Sequence, residues 1–367
     1  MAVSSLQSSL YVGVMSGTSL DGVDAVLADT STGVPRLLGS HYQAYPTALR
    51  GELLALHTAG DNELHRAAVL ANVLAEQYAQ TVVALLAANG NPRVAAIGCH
   101  GQTIRHQPQA GYTIQLVNGA LLAERTGIST IIDFRSRDIA AGGQGAPLVP
   151  AFHAMVFRQP DTARAIVNIG GIANLTCLPV EGPVSGFDTG PGNLLMDALA
   201  GRHQGQTCDK DGSLAAAGCV NENLLAAMLS DPFFQRSPPK STGRDHFNWS
   251  WLEALGIEGL APSDIQATLA ELSARSIVAA VEKYCPQARE VLICGGGVHN
   301  IHLMRRLVNL LPSRQLASTA AVGLDPDWVE ALAFAWLARC TMEGIPGNAP
   351  EVTGATGARI LGAIYPQ

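Results

Sequence analysis

The apolar positions of the chain follow two periods. Short β-branched runs at residues 11–15, 23–28, 94–99, 129–132, 166–169, 175–178 and 291–294 have the length of strands and are bounded by glycine or polar clusters. Residues 36–43 fit a third strand beside the first two. Residues 63–88 instead space Val69, Leu70, Val73, Leu74, Tyr78, Val82, Val83 and Leu86 close to the helical period, and Gly90 with Pro92 ends the run. Residues 265–284 repeat that spacing through Leu269, Leu272, Ile277, Val278 and Val281, while 116–125 and 326–342 read as further helices. The tail at 358–365 is apolar enough to return as strand or helix against the N-terminal part. Strands alternating with helices predict an α/β protein.

The junctions between these elements carry the candidate chemistry. Gly170 and Gly171 separate two strands, and the run Gly186-Phe187-Asp188-Thr189-Gly190-Pro191-Gly192-Asn193 then sets one carboxylate among glycines ahead of a helical run from Leu194. Glycines let a backbone approach a ligand closely, and a helix N-terminus favours an anion, so the setting suits phosphate. A carboxylate in that position also serves as a plain helix cap. Recurrence favours chemistry for Asp188: Ser16-Gly17-Thr18-Ser19-Leu20-Asp21-Gly22 lies between two further apolar runs. Two strand-turn-strand elements with donor-rich turns, facing each other, would make a nucleotide cleft.

Other strand ends add candidates. His100 follows a strand, where α/β sheets place ligands, although a histidine there also serves as a structural hydrogen bonder. Arg135 and Arg137, read as alternate residues of an extended loop, point to one side and match a carboxylate or phosphate; ion pairing with Asp133 and Asp138 is the alternative. Residues 141–147 are glycine-rich and read as a hinge or mobile loop, with the main boundary ahead of it. The lobes expected are 1–134, with 350–367 returning to it, and 135–349. Gly295, Gly296 and Gly297 follow a strand and form a surface without side chains, suited to a base or ribose. Glu330 opens a helix, where a carboxylate also favours the dipole. Polar loops at 206–213 and 236–248 read as surroundings of the site without a fixed role.

Composition narrows the function classes. Across 367 residues, 47% hydrophobic and 14% charged, the chain is long enough for two domains. A formal charge of -7 argues against nucleic-acid binding. Seven scattered cysteines without a CxxC pair fit reduced thiols in a cytoplasmic protein. No basic leader precedes Arg36 and no apolar run reads as a membrane span, so no membrane partner is expected. P-loop, protein-kinase and GxGxxG signatures are missing.

The motifs GVMSGTSLDGVD (residues 13–24), GCHGQT (98–103), DFRSRD (133–138), NIGGIAN (168–174), GFDTGPGN (186–193) and CGGGVHN (294–300) resemble, in this order, those of the anhydro-N-acetylmuramic acid kinases. The resemblance implies two ribonuclease-H-like lobes of the sugar kinase and actin type closing on ATP. It implies that Gly17, Thr18, Ser19, Leu20, Asp21, Gly22, Val23 and Asp24 cradle the β- and γ-phosphates with Mg²⁺, and that Asn168, Gly170 and Gly171 form the second phosphate turn. Gly295, Gly296 and Gly297 would receive adenosine, and Asp188 would take a proton from water. Arg135 or Arg137 would meet the lactyl carboxylate, with Asn193 and Glu330 as further substrate contacts. A cytoplasmic homodimer is expected. An actin-like or heat-shock-like ATPase switch and an ATP-independent glycoside hydrolase remain as alternatives.

Overall fold

The computed structural model describes residues 8–367. The chain forms two compact units, one running to Val156 with Trp328–Pro350 and Gly354–Gln367, the other comprising Phe157–Asp327 with Glu351–Thr353. The division falls later than the expected break after residue 134, and the helix Val329–Glu343 belongs to the first unit. The glycine-rich stretch explains the shift. Asp138 is fully buried and its carboxylate accepts the Gly145 N–H at 2.8 Å and the Asn348 amide at 2.7 Å. Residues 141–145 are thereby pinned to the first unit.

In the first unit, β1 (Leu10–Met15), β2 (Gly22–Asp29) and β3 (Arg36–Ala44) form an antiparallel meander. β4 (Ala96–Cys99) runs parallel to β1. A separate hairpin follows, β5 (Gln102–Gln107) with β6 (Tyr112–Leu116). β7 (Thr130–Ile132) then lies parallel to β4. The tail returns as a strand, Ala363–Tyr365, antiparallel to β7, giving the order tail-β7-β4-β1-β2-β3. The helix Glu63–Ala88 has the bounds its periodicity predicts, and Leu70, Leu74, Tyr78, Val82 and Leu85 enter the core with Val12, Val14 and Val23. Contrary to the expectation that no run reads as a membrane span, this helix is long and apolar enough to cross a membrane by length and composition; 50% of its apolar window is buried in the protein, as befits a core helix.

The other face of this sheet is covered by Val329–Glu343, and two glycines let it lie flat. Gly13 and Gly98 are paired across β1 and β4, and a Cβ on either would overlap backbone oxygen of that helix, at Ala331 and Phe334 respectively. Two motif glycines therefore serve packing, which fixes where Glu330 and Phe334 sit.

The second unit repeats the plan. β8 (Arg164–Ile169), β9 (Ile172–Leu178) and β10 (Ser185–Pro191) form a meander; β11 (Glu290–Cys294) is parallel to β8 and β12 (Gln315–Ser318) parallel to β11. The order is β10-β9-β8-β11-β12. Both units thus place the strands third-second-first-fourth-fifth, the α/β arrangement of a ribonuclease-H-like lobe. Val167, Ile169, Leu175, Cys177 and Phe187 face a core shared with Leu269, Leu272, Ile277 and Val281 of the helix Pro262–Tyr284. The alternate positions of the strands face the other way. The expectation of reduced thiols fails at one pair, since Cys177 and Cys285 are disulfide-bonded in this core.

Candidate active site

The first unit gathers polar groups at the ends of β1 and β4. The turn after β1 is shaped from beneath: the Gln102 amide donates to Gly17 O at 3.0 Å, Ser16 Oγ donates to Gly101 O at 3.0 Å, and Ser16 Oγ shares a 2.7 Å hydrogen bond with Tyr78. Gly17, Thr18 and Ser19 are partly exposed, Asp21 is exposed, and Ser19 Oγ donates to Asp21 at 2.8 Å. At three positions of the expected phosphate run only the backbone is on offer to a ligand. Leu20 and Val23 have side chains wholly within the core, and Gly22 is pressed against Gln43 and Tyr42, so these residues shape the turn. Asp24 is half-buried on β2.

His100 ties this turn to Arg135. Its Nδ1–H donates to Ser16 O at 3.3 Å, while Nε2 accepts from Arg135 Nε at 3.1 Å and Nη2 at 2.9 Å. Burial first, then the neighbouring guanidinium, push the imidazole pKa well below its usual value, which keeps the ring a neutral acceptor. Arg135 Nη1 also donates to Gly145 O at 2.8 Å. Phe334 packs on His100 with ring centroids 4.8 Å apart, and Glu330, one turn earlier on the same helix, shares its face. Glu330 and Arg135 thus border one end of the sheet.

Arg137 does not join them. The segment is a short helix, Ser136–Ala140, rather than an extended loop, so residues two apart diverge. Arg137 is exposed and lines a 430 Å³ cavity with Gly142, Thr356 and Arg359.

In the second unit the turn Gly170-Gly171 is stitched to the start of the helix Leu194–Gln204. Gly192 N–H donates to Gly171 O at 2.9 Å, Asn193 N–H to Gly170 O at 2.8 Å and Leu194 N–H to Gly171 O at 3.1 Å. The glycines divide by what lies beside them. A Cβ on Gly192 would overlap Gly170 O, one on Gly295 would overlap Asn168 Oδ1, and one on Gly297 would overlap the Ile169 side chain. A Cβ on Gly170 or Gly296 meets only Ile172 O at 3.6 Å or Asn193 Nδ2 at 4.0 Å. Gly170 and Gly296 therefore present open backbone, with Asn168 and Asn193 beside them.

Asp188 stands on β10, 7% exposed, just before a bulge between Asp188 and Gly190. A loop whose role the sequence leaves unfixed holds it: Thr242 N–H donates to Asp188 Oδ2 at 2.9 Å, and Asp188 N–H donates to Lys240 O at 3.2 Å. The Lys240 ammonium donates to Phe233 O at 3.2 Å and lies 4.4 Å above the Phe233 ring. Burial pushes its pKa down to about 8, and the charge of Asp188 counters that fall. The signal available in the sequence was a lysine, one of only three, inside a proline- and serine-rich loop. Among the described residues no group of three or more His, Cys, Asp or Glu is placed to hold a metal ion.

A family model for anhydro-N-acetylmuramic acid kinase matches residues 9–367. The anhydro-N-acetylmuramic acid kinase of Thiobacillus denitrificans is 57% identical over 100% of this chain and 99% of its own length. That of Nitrosomonas europaea is 57% identical over 97% of this chain and 99% of its own length. Among solved structures the likeness is distant: a ROK family glucokinase from Streptomyces griseus, in complex with glucose and AMPPNP, aligns over 90% of this chain and 99% of its own at 14% identity and a TM-score of 0.40. The chain belongs to the anhydro-N-acetylmuramic acid kinase family.

Proposed function

We propose that the protein opens 1,6-anhydro-N-acetylmuramic acid with water and transfers the γ-phosphoryl group of ATP to O6, giving N-acetylmuramic acid 6-phosphate and ADP in peptidoglycan recycling. The observation that carries the reading at residue level is the setting of Asp188, a carboxylate at a strand-to-helix junction whose Oδ2 is held by the Thr242 N–H at 2.9 Å. Water attacks C1, Asp188 takes its proton, and the C1–O6 electron pair passes to O6 as O6 bonds to phosphorus. Phosphoryl transfer itself needs positioning and charge neutralisation.

Gly17, Thr18, Ser19, Asp21 and Asp24 serve the β- and γ-phosphates, with Leu20, Gly22 and Val23 acting through backbone alone. Asn168, Gly170 and Gly171 form the second phosphate turn, and Gly295, Gly296 and Gly297 the adenosine surface. Mg²⁺ suits a site with few protein carboxylates, since it keeps waters and binds mainly through phosphate oxygens; Asp21 and Asp24 are the carboxylates of the turn. Arg135 is favoured over Arg137 for the lactyl carboxylate, because His100 fixes its fork at the strand ends while Arg137 is exposed on a separate short helix. Asn193, beside the open backbone of Gly296, completes the substrate contacts. The enzyme acts in the cytoplasm, where ATP is at hand. Exposed Val69, Val73 and Val83 on the helix Glu63–Ala88 offer apolar surface for a homodimer.

Asp188→Asn retains an acceptor for Thr242, so the variant folds and binds ATP, while kcat falls ~10²- to 10⁴-fold with the loss of the base. The assay is phosphorylated sugar formed with and without ATP and Mg²⁺. A near-normal rate in the variant removes Asp188 from this role, and product without ATP favours a hydrolase.

A further inference from the structure

Register places a second polar side chain beside the proposed base. Asn174 on β9 lies directly opposite Asp188 on β10 and Asn168 on β8. Directly opposed residues project to the same face of a sheet, so Asn168, Asn174 and Asp188 form one polar row. The row lies on the face away from the core, because the neighbours Val167, Ala173, Leu175 and Phe187 fill the other. The Asn174 Oδ1 atom is buried and has no hydrogen-bond partner. An orphaned buried acceptor costs about 1–3 kcal/mol, which a donor supplied by a ligand would offset.

We propose that Asn174 Oδ1 accepts the non-reacting O–H of the attacking water and so aims that water at C1; this rests on Asp188 as the base. Opposed side chains start from Cβ atoms about 5 Å apart. One water donating two hydrogen bonds of about 2.8 Å bridges acceptors roughly 4.5 Å apart. Side chains that start from so close a pair of Cβ atoms have the reach to hold a single water between the Asp188 carboxylate and the Asn174 amide oxygen. Thr242 already occupies Oδ2 of Asp188, which restricts how the carboxylate presents itself. With one O–H held by Asn174 and the other directed at Asp188, an oxygen lone pair is left for C1. The step balances: the new O–C1 bond forms, Asp188 receives the proton, the C1–O6 pair moves to O6, O6 joins the γ-phosphorus, and ADP departs. Asn174 neither gains nor loses a proton.

The test uses the full chain and two variants of one shape, Asn174→Val and Asn174→Thr, beside Asp188→Asn. The Val variant loses the acceptor; kcat falls about 100-fold, the scale of a nucleophile misplaced by about 1 Å. KM for sugar and for ATP stays within about 3-fold, because the water belongs to the reaction and not to either ligand's binding. Its melting temperature does not drop, since the orphaned oxygen is gone. The Thr variant, which returns an acceptor oxygen, turns over faster than the Val variant. Any fold damage is common to both, so their ratio isolates the oxygen. A Val variant at the wild-type rate, a raised sugar KM at unchanged kcat, or equal rates for Val and Thr overturns the inference. If Asp188→Asn is inactive while Asn174→Val is not, only Asn174 is displaced; if Asp188→Asn is active, the base assignment itself fails.

Discussion

Gly170 and Gly192 touch through their backbones, yet alanine should act on them in opposite ways. At Gly170 an added methyl meets nothing closer than Ile172 O at 3.6 Å, an ordinary contact, so the fold accepts it. Loss of freedom in the unfolded chain then stabilises the Ala variant by about 0.4–1 kcal/mol. The methyl instead occupies the open side of the turn. If phosphate approaches there, the overlap costs about 1–3 kcal/mol, or roughly 5- to 150-fold in ATP affinity. At Gly192 the methyl would strike Gly170 O, part of a backbone stitch that includes the 2.9 Å bond from Gly192 N–H to Gly171 O. Neither side is a flexible side chain, so the chain must part there. Overpacking of about 1–3 kcal/mol adds to about 1 kcal/mol for each hydrogen bond lost, for a total near 2–5 kcal/mol. Thermal unfolding and ATP KM, measured on both variants, separate the two effects. A Gly170→Ala protein that melts lower than wild type, or one that keeps its ATP KM, refutes the division of these glycines into ligand-facing and packing.

Two further predictions follow from the first unit. Arg135→Lys loses the fork that His100 holds and raises sugar KM at least 10-fold, on the scale of a charged hydrogen bond worth about 1.5–3 kcal/mol, whereas Arg137→Ala leaves it within about 2-fold; equal effects would return Arg137 to the site. Acid should weaken the fold: burial pushes His106 down to about 4 and His153 to about 3, with His100 also well below its usual value. Below pH 6.5 the unfolded chain binds protons at these positions that the native state refuses, so stability is full above 6.5 and falls as pH drops toward 4, by about 1.4 kcal/mol per pH unit for each histidine. Melting curves from pH 8 to 5 check this, and His153→Leu should shallow the slope.

Long elements were legible in the sequence because their periodicity is strong and their ends are marked. The helix Glu63–Ala88 and the strand-turn-strand around Gly170 and Gly171 are of this kind. The β5–β6 hairpin was not, since Gln102–Gln107 is polar and its pairing is set by the partner strand. The divergence of Arg137 from Arg135 was not legible, because the segment is helical from Ser136 and does not keep the period of two that an extended loop would have. Asp188 stood out as a carboxylate among glycines, but its holder, the Lys240–Thr242 segment, lies 54 residues away at Thr242 and leaves no local trace. The glycines were the least legible. Gly13, Gly192 and Gly296 look alike in sequence, and only their neighbours in space show that the first two permit backbone packing and the third stands open.

The repeated topology explains why the chemistry gathers where it does, and why the two units contribute differently. In each unit the first and fourth strands of the meander-and-crossover plan are parallel neighbours, so their carboxyl ends open side by side, where strand ends leave backbone groups without sheet partners. After the first strand come Ser16 and Gly17 in one unit and Gly170 in the other; after the fourth come His100 in one and Gly295 in the other. The first unit thus fills its fourth-strand end with an imidazole that fixes a guanidinium. The second has glycine there, with open backbone at Gly296. Exchanging the two fillings would fail on packing grounds alone: a side chain at Gly295 would meet Asn168 Oδ1 and Ile169 O, whereas glycine at position 100 would strip Arg135 of the acceptor for two of its hydrogen bonds.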